Sequence, residues 1–198
     1  MTPFDLSFDY RCPFAKNLHL HVLAALAAGA DFDVTFVPWT LNQGYRAEGA
    51  PDVWDDPAYD ADHLSMCAGV SVRDQQPELF LAAHEALFRA RHEGAVRLVT
   101  LEEIAGVLAP LGVDMALVSA DIESRRPHKV IGQSYAEFTR YEAFGVPTMV
   151  VDGDAAFVRY MSVPSGDAQE SVRIVERLLH LMVAEPELNE FKHTQQPY

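Results

Sequence analysis

Only two cysteines, Cys12 and Cys67, occur in the 198 residues. That excludes a disulfide framework and a thiol-rich metal centre, and it suits a reducing compartment. Basic charge is also scarce: 15 Lys and Arg stand against 29 Asp and Glu, a formal net charge of −14. A field of that sign repels nucleic acid and anionic membrane surfaces, so neither is expected as a partner. No apolar run approaches the length of a membrane span. The first residues show neither the basic n-region nor the apolar h-region of a leader, so the expected location is the cytoplasm. A Gly-rich phosphate loop, a Ser nucleophile elbow, internal repeats and low-complexity tracts are missing as well.

The eight histidines form no metal-binding pattern. His19 and His21 are two apart and point to different sides of a helix, and His84-Glu85 lacks the second histidine of a zinc-protease helix. The acidic cluster Asp52, Asp55, Asp56, Asp60 and Asp62 lacks the spacing and terminal Glu of a calcium loop, and reads as a solvated segment. No metal is expected.

What is present starts at Cys12-Pro13-Phe14-Ala15. The run Pro3–Tyr10 has the aromatic and apolar content of a buried strand, and Pro13 suits the first turn of a helix. A cysteine at that junction faces unpaired backbone N–H groups, which favour its thiolate, and Arg11 and Lys16 add positive charge beside it. Position 15, where a two-cysteine redox motif has its second thiol, is alanine. Cys12 is therefore a nucleophile without a local resolving partner. Phe14, on the exposed first turn beside the sulfur, is the aromatic best placed to face a substrate. Cys67 reads as a packing residue, with a remote resolving thiol as the alternative.

The chain reads in order as strand 3–10, helix 13–29 ended by Gly29, and strand 33–41, which Pro38 loosens or places at an edge. A long loop over 42–63 follows. Asn42 opens it, on the end of the sheet where open α/β folds present their ligand crevice, and Trp39, Tyr45 and Trp54 are candidates for an apolar pocket. Helices are expected at 78–93, from the Thr100–Glu103 capping box, at 114–125, at 127–144, and from about Asp167 to just before Pro186. Between the fourth and fifth of these lies Phe144-Gly-Val-Pro-Thr-Met-Val-Val151, which leads into a strand. A hairpin closed at Gly153-Asp154 comes next. The core is expected at 1–61 and 127–198, interrupted by a helical insertion at 62–126.

Taken together, Cys-Pro-x-x at a helix start, a long helical insertion, Gly-Val-Pro-Thr, a hairpin and a final helix resemble the DsbA-like branch of the thioredoxin superfamily. That branch includes 2-hydroxychromene-2-carboxylate isomerases and kappa-class glutathione transferases. The tail Leu188–Thr194 is similar to that of actinobacterial DsbA-like proteins, among them mycothiol-dependent reductases. The resemblance implies an α/β thioredoxin-like mixed sheet with an all-helical insertion. It also implies a cis-proline loop at Val146-Pro147, opposite Cys12, whose backbone edge pairs with an extended ligand.

The expected activity is that of a thiol-dependent oxidoreductase or thiol transferase using Cys12 alone, with Arg11, Pro13, Phe14, Lys16, Asn42, Val146 and Pro147 around the thiol ligand. A low-molecular-weight thiol is the expected co-substrate, and a disulfide or electrophilic small molecule the partner. Twelve Arg against three Lys is the usage of a high-GC genome, which with the resemblance makes mycothiol a candidate; glutathione is the other. Relatives usually carry Cys-Pro-x-Cys, so Ala15 is a departure that removes the two-thiol cycle. The isomerase relatives carry serine where Cys12 stands, which keeps a thiol-cofactor-dependent isomerase or transferase open, and beside it a non-catalytic binding module. A homodimer is compatible with the resemblance.

Overall fold

The computed structural model describes residues 3–193 and 195; the ends of the core segments expected above (1, 2 and 196–198) and Thr194 of the tail motif lie outside them. Strand β1 (Pro3–Phe8) leads through Cys12 into helix α1 (Pro13–Ala27), and β2 (Asp33–Pro38) returns the chain parallel to β1. A short helix α2 (Asn42–Tyr45) follows. Next come α3 (Asp60–Gln75), α4 (Pro77–His92), α5 (Leu101–Leu108), α6 (Met115–Glu123) and α7 (Arg126–Thr139). Strands β3 (Thr148–Val151) and β4 (Asp154–Phe157) form a hairpin, and α8 (Ala168–Ala184) ends the regular structure. The sheet order is β2-β1-β3-β4, with β3 antiparallel to β1 through Asp5↔Val150 and Leu6↔Met149. This is the mixed sheet of a DsbA-like thioredoxin fold with its helical insertion. No helix among the described residues is long and apolar enough to cross a membrane.

Local chemistry accounts for most of the boundaries. Glu103 N donates to the Thr100 hydroxyl and Thr100 N to the Glu103 carboxylate, each at 3.2 Å, closing the capping box of α5. Asp114 and Asp167 cap α6 and α8 as simple N-caps, their carboxylates accepting first-turn amides without a reciprocal bond. Pro38 ends β2 at the sheet edge, where no neighbouring strand needs its missing N–H.

Three expectations need correction. Part of the expected loop at 42–63 is helical: α2 occupies Asn42–Tyr45, and α3 begins at Asp60. Helix α3 escaped notice because its run from Ser65 to Val72 is buried on every side, so it shows no one-faced apolar stripe. Helix α7 stops at Thr139, five residues early, and Glu142 takes a left-handed φ of 54° as the chain turns toward Gly145. The hairpin turn is Asp152-Gly153, with φ of 50° and 91°, and Asp154 already belongs to β4. A two-residue turn with both central φ values positive favours Asp-Gly in that order.

Beneath the α1 start, a chain of fully buried polar groups ties the insertion to the sheet. Tyr10 Oη lies 2.7 Å from His84 Nδ1, His84 Nε2 lies 2.8 Å from His19 Nδ1, and His19 Nε2 lies 3.0 Å from the Ser7 carbonyl. The carbonyl can only accept, so His19 Nε2 carries a proton and its Nδ1 accepts from His84. His84 Nδ1 then accepts from the Tyr10 hydroxyl. Each tautomer is thus dictated by the last acceptor. Burial pushes the His19 pKa down to about 3 and His84 well below its ordinary value, so both stay neutral. Rings of Phe8, Tyr10, Phe36, Phe80 and Phe88 surround His84 at 4.8–5.2 Å between centroids. At Gly69 a Cβ would run into the Tyr10 ring, which explains glycine in the middle of α3.

Burial also lowers the pKa of His63, to about 4, and those of His21, His92 and His128. An unfolded chain protonates these rings below about pH 6.5 while the folded one does not. Their contribution is therefore complete above that pH and is lost as pH falls toward about 4 and, for His19, about 3. Urea unfolding should show stability dropping between about pH 6.5 and about pH 4, each such histidine adding a slope of at most about 1.4 kcal/mol per pH unit. His84→Leu orphans Tyr10 Oη and His19 Nδ1, and should cost roughly 1–3 kcal/mol for each at neutral pH. Equal stability of that variant would mean the chain of groups does not hold the insertion.

Candidate active site

Cys12 is the N-cap of α1, in extended backbone conformation (φ −89°, ψ 119°). Its Sγ accepts from Ala15 N at 3.4 Å and its thiol donates to the Val146 carbonyl at 3.2 Å. The Val146–Pro147 peptide bond is cis. Three hydrogen bonds fix this loop: Thr148 N to the Ser7 hydroxyl at 2.8 Å, the Thr148 hydroxyl to Gly145 O at 2.8 Å, and Val158 N to Pro147 O at 3.0 Å. Helix start and loop, 134 residues apart, thus meet at one sulfur.

The thiol's acidity is set by a contest. Burial raises the Cys12 pKa most; the amides of Ala15 and Phe14 lower it, the Asp9 carboxylate raises it and Arg159 lowers it. The net result lies above the ordinary cysteine range. The expectation of a favoured thiolate is corrected here: the helix end acts as expected but burial outweighs it. Arg11 and Lys16 do not help the sulfur either. Arg11 pairs with Asp9 at 2.7 Å and Asp62 at 3.1 Å, and Lys16 approaches Glu93 at 3.8 Å. Asp9, buried beneath them, also accepts from Arg11 N at 2.9 Å, and its own carbonyl accepts from Cys12 N at 3.0 Å. Its carboxylate thereby shapes the loop that carries the cysteine.

Arg159 is the cation the sequence reading missed. Its guanidinium lies 4.7 Å from the Phe14 ring centroid and 5.8 Å from that of Phe157. Nothing in the linear sequence marks it, since only the hairpin register brings residue 159 to the sulfur. Phe14 is half-buried, with Arg159 over its face, and Pro13 is exposed at the helix start. Asn42 is drawn to the rim indirectly: its side chain donates to Asp62 at 3.2 Å, and Asp62 pairs with Arg11.

The other aromatic candidates do not converge on the sulfur. Trp39 is buried and stacks on Tyr135 at 5.4 Å, Trp54 packs against the same ring at 5.5 Å, and Tyr45 is exposed. Cys67 is fully buried in α3, and burial pushes its thiol far up, as befits a packing residue. Among the described residues no group of three or more His, Cys, Asp or Glu side chains is placed to hold a metal. In the acidic segment, Asp52 meets Gln43 and Arg46, and Asp60 meets Arg125 at 2.6 Å.

A family model described as DSBA-like thioredoxin domain matches residues 4–169. Among solved structures, a probable DsbA oxidoreductase from Streptomyces coelicolor superposes with a TM-score of 0.63 at 16% identity, over 99% of this chain and 94% of that one. MdbA, a thiol-disulfide oxidoreductase from Actinomyces oris, gives 0.60 at 19% identity, covering 86% and 79%. The oxidoreductase DsbA from Xylella fastidiosa gives 0.56 at 24% identity, covering 92% and 88%. At these identities the likeness is one of fold. No curated protein matches the sequence.

The raised pKa is open to direct measurement. Iodoacetamide alkylation of Cys12, followed across pH by mass spectrometry, should reach half its maximal rate above the ordinary cysteine value of about 8.5. Cys67 should stay unlabelled in the folded protein. A midpoint well below that value would show that the helix end, not burial, dominates.

Proposed function

The chain belongs to the DSBA-like thioredoxin domain family, and from that premise we propose that it is a thiol-disulfide oxidoreductase or thiol transferase working through one sulfur, that of Cys12. The observation that carries this reading is the meeting of Cys12 with the Val146 carbonyl at 3.2 Å, with Ala15 where a second thiol would stand. Cys12 gives its proton to solvent, and the thiolate attacks one sulfur of a disulfide. That S–S bond breaks, a mixed disulfide forms at Cys12, and the other sulfur leaves as a thiolate. A second thiolate from solution then attacks the mixed disulfide and frees Cys12, because no neighbouring sulfur does so. Glutathione and mycothiol are the two candidates for that role.

The raised pKa of Cys12 slows its departure as a thiolate, which leans the chemistry toward transfer and reduction rather than oxidation. The 146–147 backbone edge offers an extended thiol ligand a docking line. A reducing compartment such as the cytoplasm keeps a lone thiol of this kind available. A second reading rests on the protonated state: a thiol that donates to Val146 O does what a serine hydroxyl would do at position 12. In that case the residue positions the sulfur of a bound thiol cofactor for isomerase or transferase chemistry.

Incubation with oxidised glutathione and with mycothiol disulfide, read by mass spectrometry, should place an adduct on Cys12 with at least one of them. Cys12→Ser should abolish disulfide exchange. Retained isomerase-type turnover in that variant would favour the second reading, and labelling of Cys67 alone would overturn the assignment.

A further inference from the structure

Arg159 has a placement that packing alone does not call for. Val158 N donates to Pro147 O at 3.0 Å, which continues the β3–β4 pairing one step past Thr148↔Phe157. Arg159 follows Val158, and Val146, whose carbonyl receives the Cys12 thiol, precedes Pro147. The guanidinium is held over the Phe14 ring at 4.7 Å and near that of Phe157 at 5.8 Å. Among the described residues no carboxylate pairs with it, although the chain carries 29 acidic side chains. The two cations adjoining Cys12 in sequence are both occupied, Arg11 by Asp9 and Asp62, Lys16 by Glu93. Arg159 is solvent-exposed, so its charge is available to an incoming molecule.

We propose that Arg159 anchors the carboxylate of the thiol or disulfide that reacts at Cys12, so that the site selects acidic, carboxylate-bearing sulfur compounds of small size. The proposal deepens the reading of Cys12 as the reacting sulfur and rests on it. A guanidinium resting on a ring face keeps its N–H donors at its edge, where a carboxylate takes two of them side by side. The two rings contact the cation without neutralising it, which leaves its charge for the ligand. The net charge of −14 repels the same anion at long range, so a carboxylate that reaches Cys12 gains from a cation beside the sulfur. Glutathione brings two carboxylates and mycothiol, a sugar conjugate, none; the anchor favours the former.

Alkylation of Cys12 by iodoacetate and by iodoacetamide tests the anchor without requiring disulfide exchange. In both reactions the thiolate displaces iodide, and the reagents differ in one carboxylate. Their rate ratio, divided by the same ratio for 2-mercaptoethanol, cancels any change in the thiolate population. That normalised ratio should favour iodoacetate by about five- to tenfold, the worth of one charge-assisted contact. It should fall to about one in Arg159→Gln, stay intermediate in Arg159→Lys, and shrink with added salt. A wild-type ratio near one, or a ratio unchanged in Arg159→Gln, would overturn the proposal.

A parallel pair of disulfides, 3,3′-dithiodipropionate and cystamine, separates this proposal from the one beneath it. Faster exchange of Cys12 with the dicarboxylate than with the diamine, reversed in Arg159→Gln, supports both. Reaction with neither, alongside a persisting iodoacetate preference, overturns disulfide exchange as the function and leaves the anchor standing.

Discussion

The line of buried hydrogen bonds from Tyr10 through His84 and His19 to Ser7 is the constraint on which the rest of this molecule depends. It joins α4 of the insertion to α1 and to the central strand, and the Ser7 hydroxyl carries it on to Thr148, next to Pro147. The loop bearing Cys12 starts from one end of this line, and the loop that faces the sulfur starts from the other. Burial keeps both histidines neutral, and because the final acceptor is a carbonyl each has one allowed tautomer. Unmade polar contacts at that depth are costly, so the insertion cannot shift relative to the sheet without breaking several at once.

The sulfur sits where two opposing effects nearly meet. A helix start favours a thiolate, and a half-buried position favours the thiol. In this protein burial prevails, and the reason is the fate of the local charges: Arg11 and Lys16 are turned away by carboxylates, while Asp9 remains close enough to oppose ionisation. The Cys12 thiol donates to the Val146 carbonyl at 3.2 Å, a contact that belongs to the protonated form. The one nearby cation left without a carboxylate among the described residues, Arg159, lowers the Cys12 pKa only as the smallest contribution named, which fits a group facing outward to solvent as much as inward to the sulfur.

An acidic surface around a site with one exposed arginine is also a means of selection. A net charge of −14 discourages anions over the molecule as a whole, and the proposed anchor lies where Phe14, Phe157 and Arg159 meet. The elements that make this corner are the first turn of α1 and the end of the hairpin, both rigidly tied to the sheet. The loop containing α2 reaches the same rim through Asn42, Asp62 and Arg11.

Much of the fold was legible in order of residues, because the signals that mark it are local. Pro13 after Cys12, Thr100 with Glu103, Asp114, Asp167 and the apolar stripe of α4 act within a few residues of themselves, and the structure places helix starts there. The pairing of Cys-Pro with Gly-Val-Pro-Thr pointed to the right family for the same reason. Helix α3 was not legible, since a helix wrapped by protein on all sides has no contrast between faces. Residue identity alone also determined that Cys12 has no resolving partner at position 15. Only the tertiary structure decided the sulfur's acidity, the fate of Arg11 and Lys16, and the arrival of Arg159 beside Phe14. Burial and charge pairing are properties of neighbours brought together across more than a hundred residues, and no spacing along the chain encodes them.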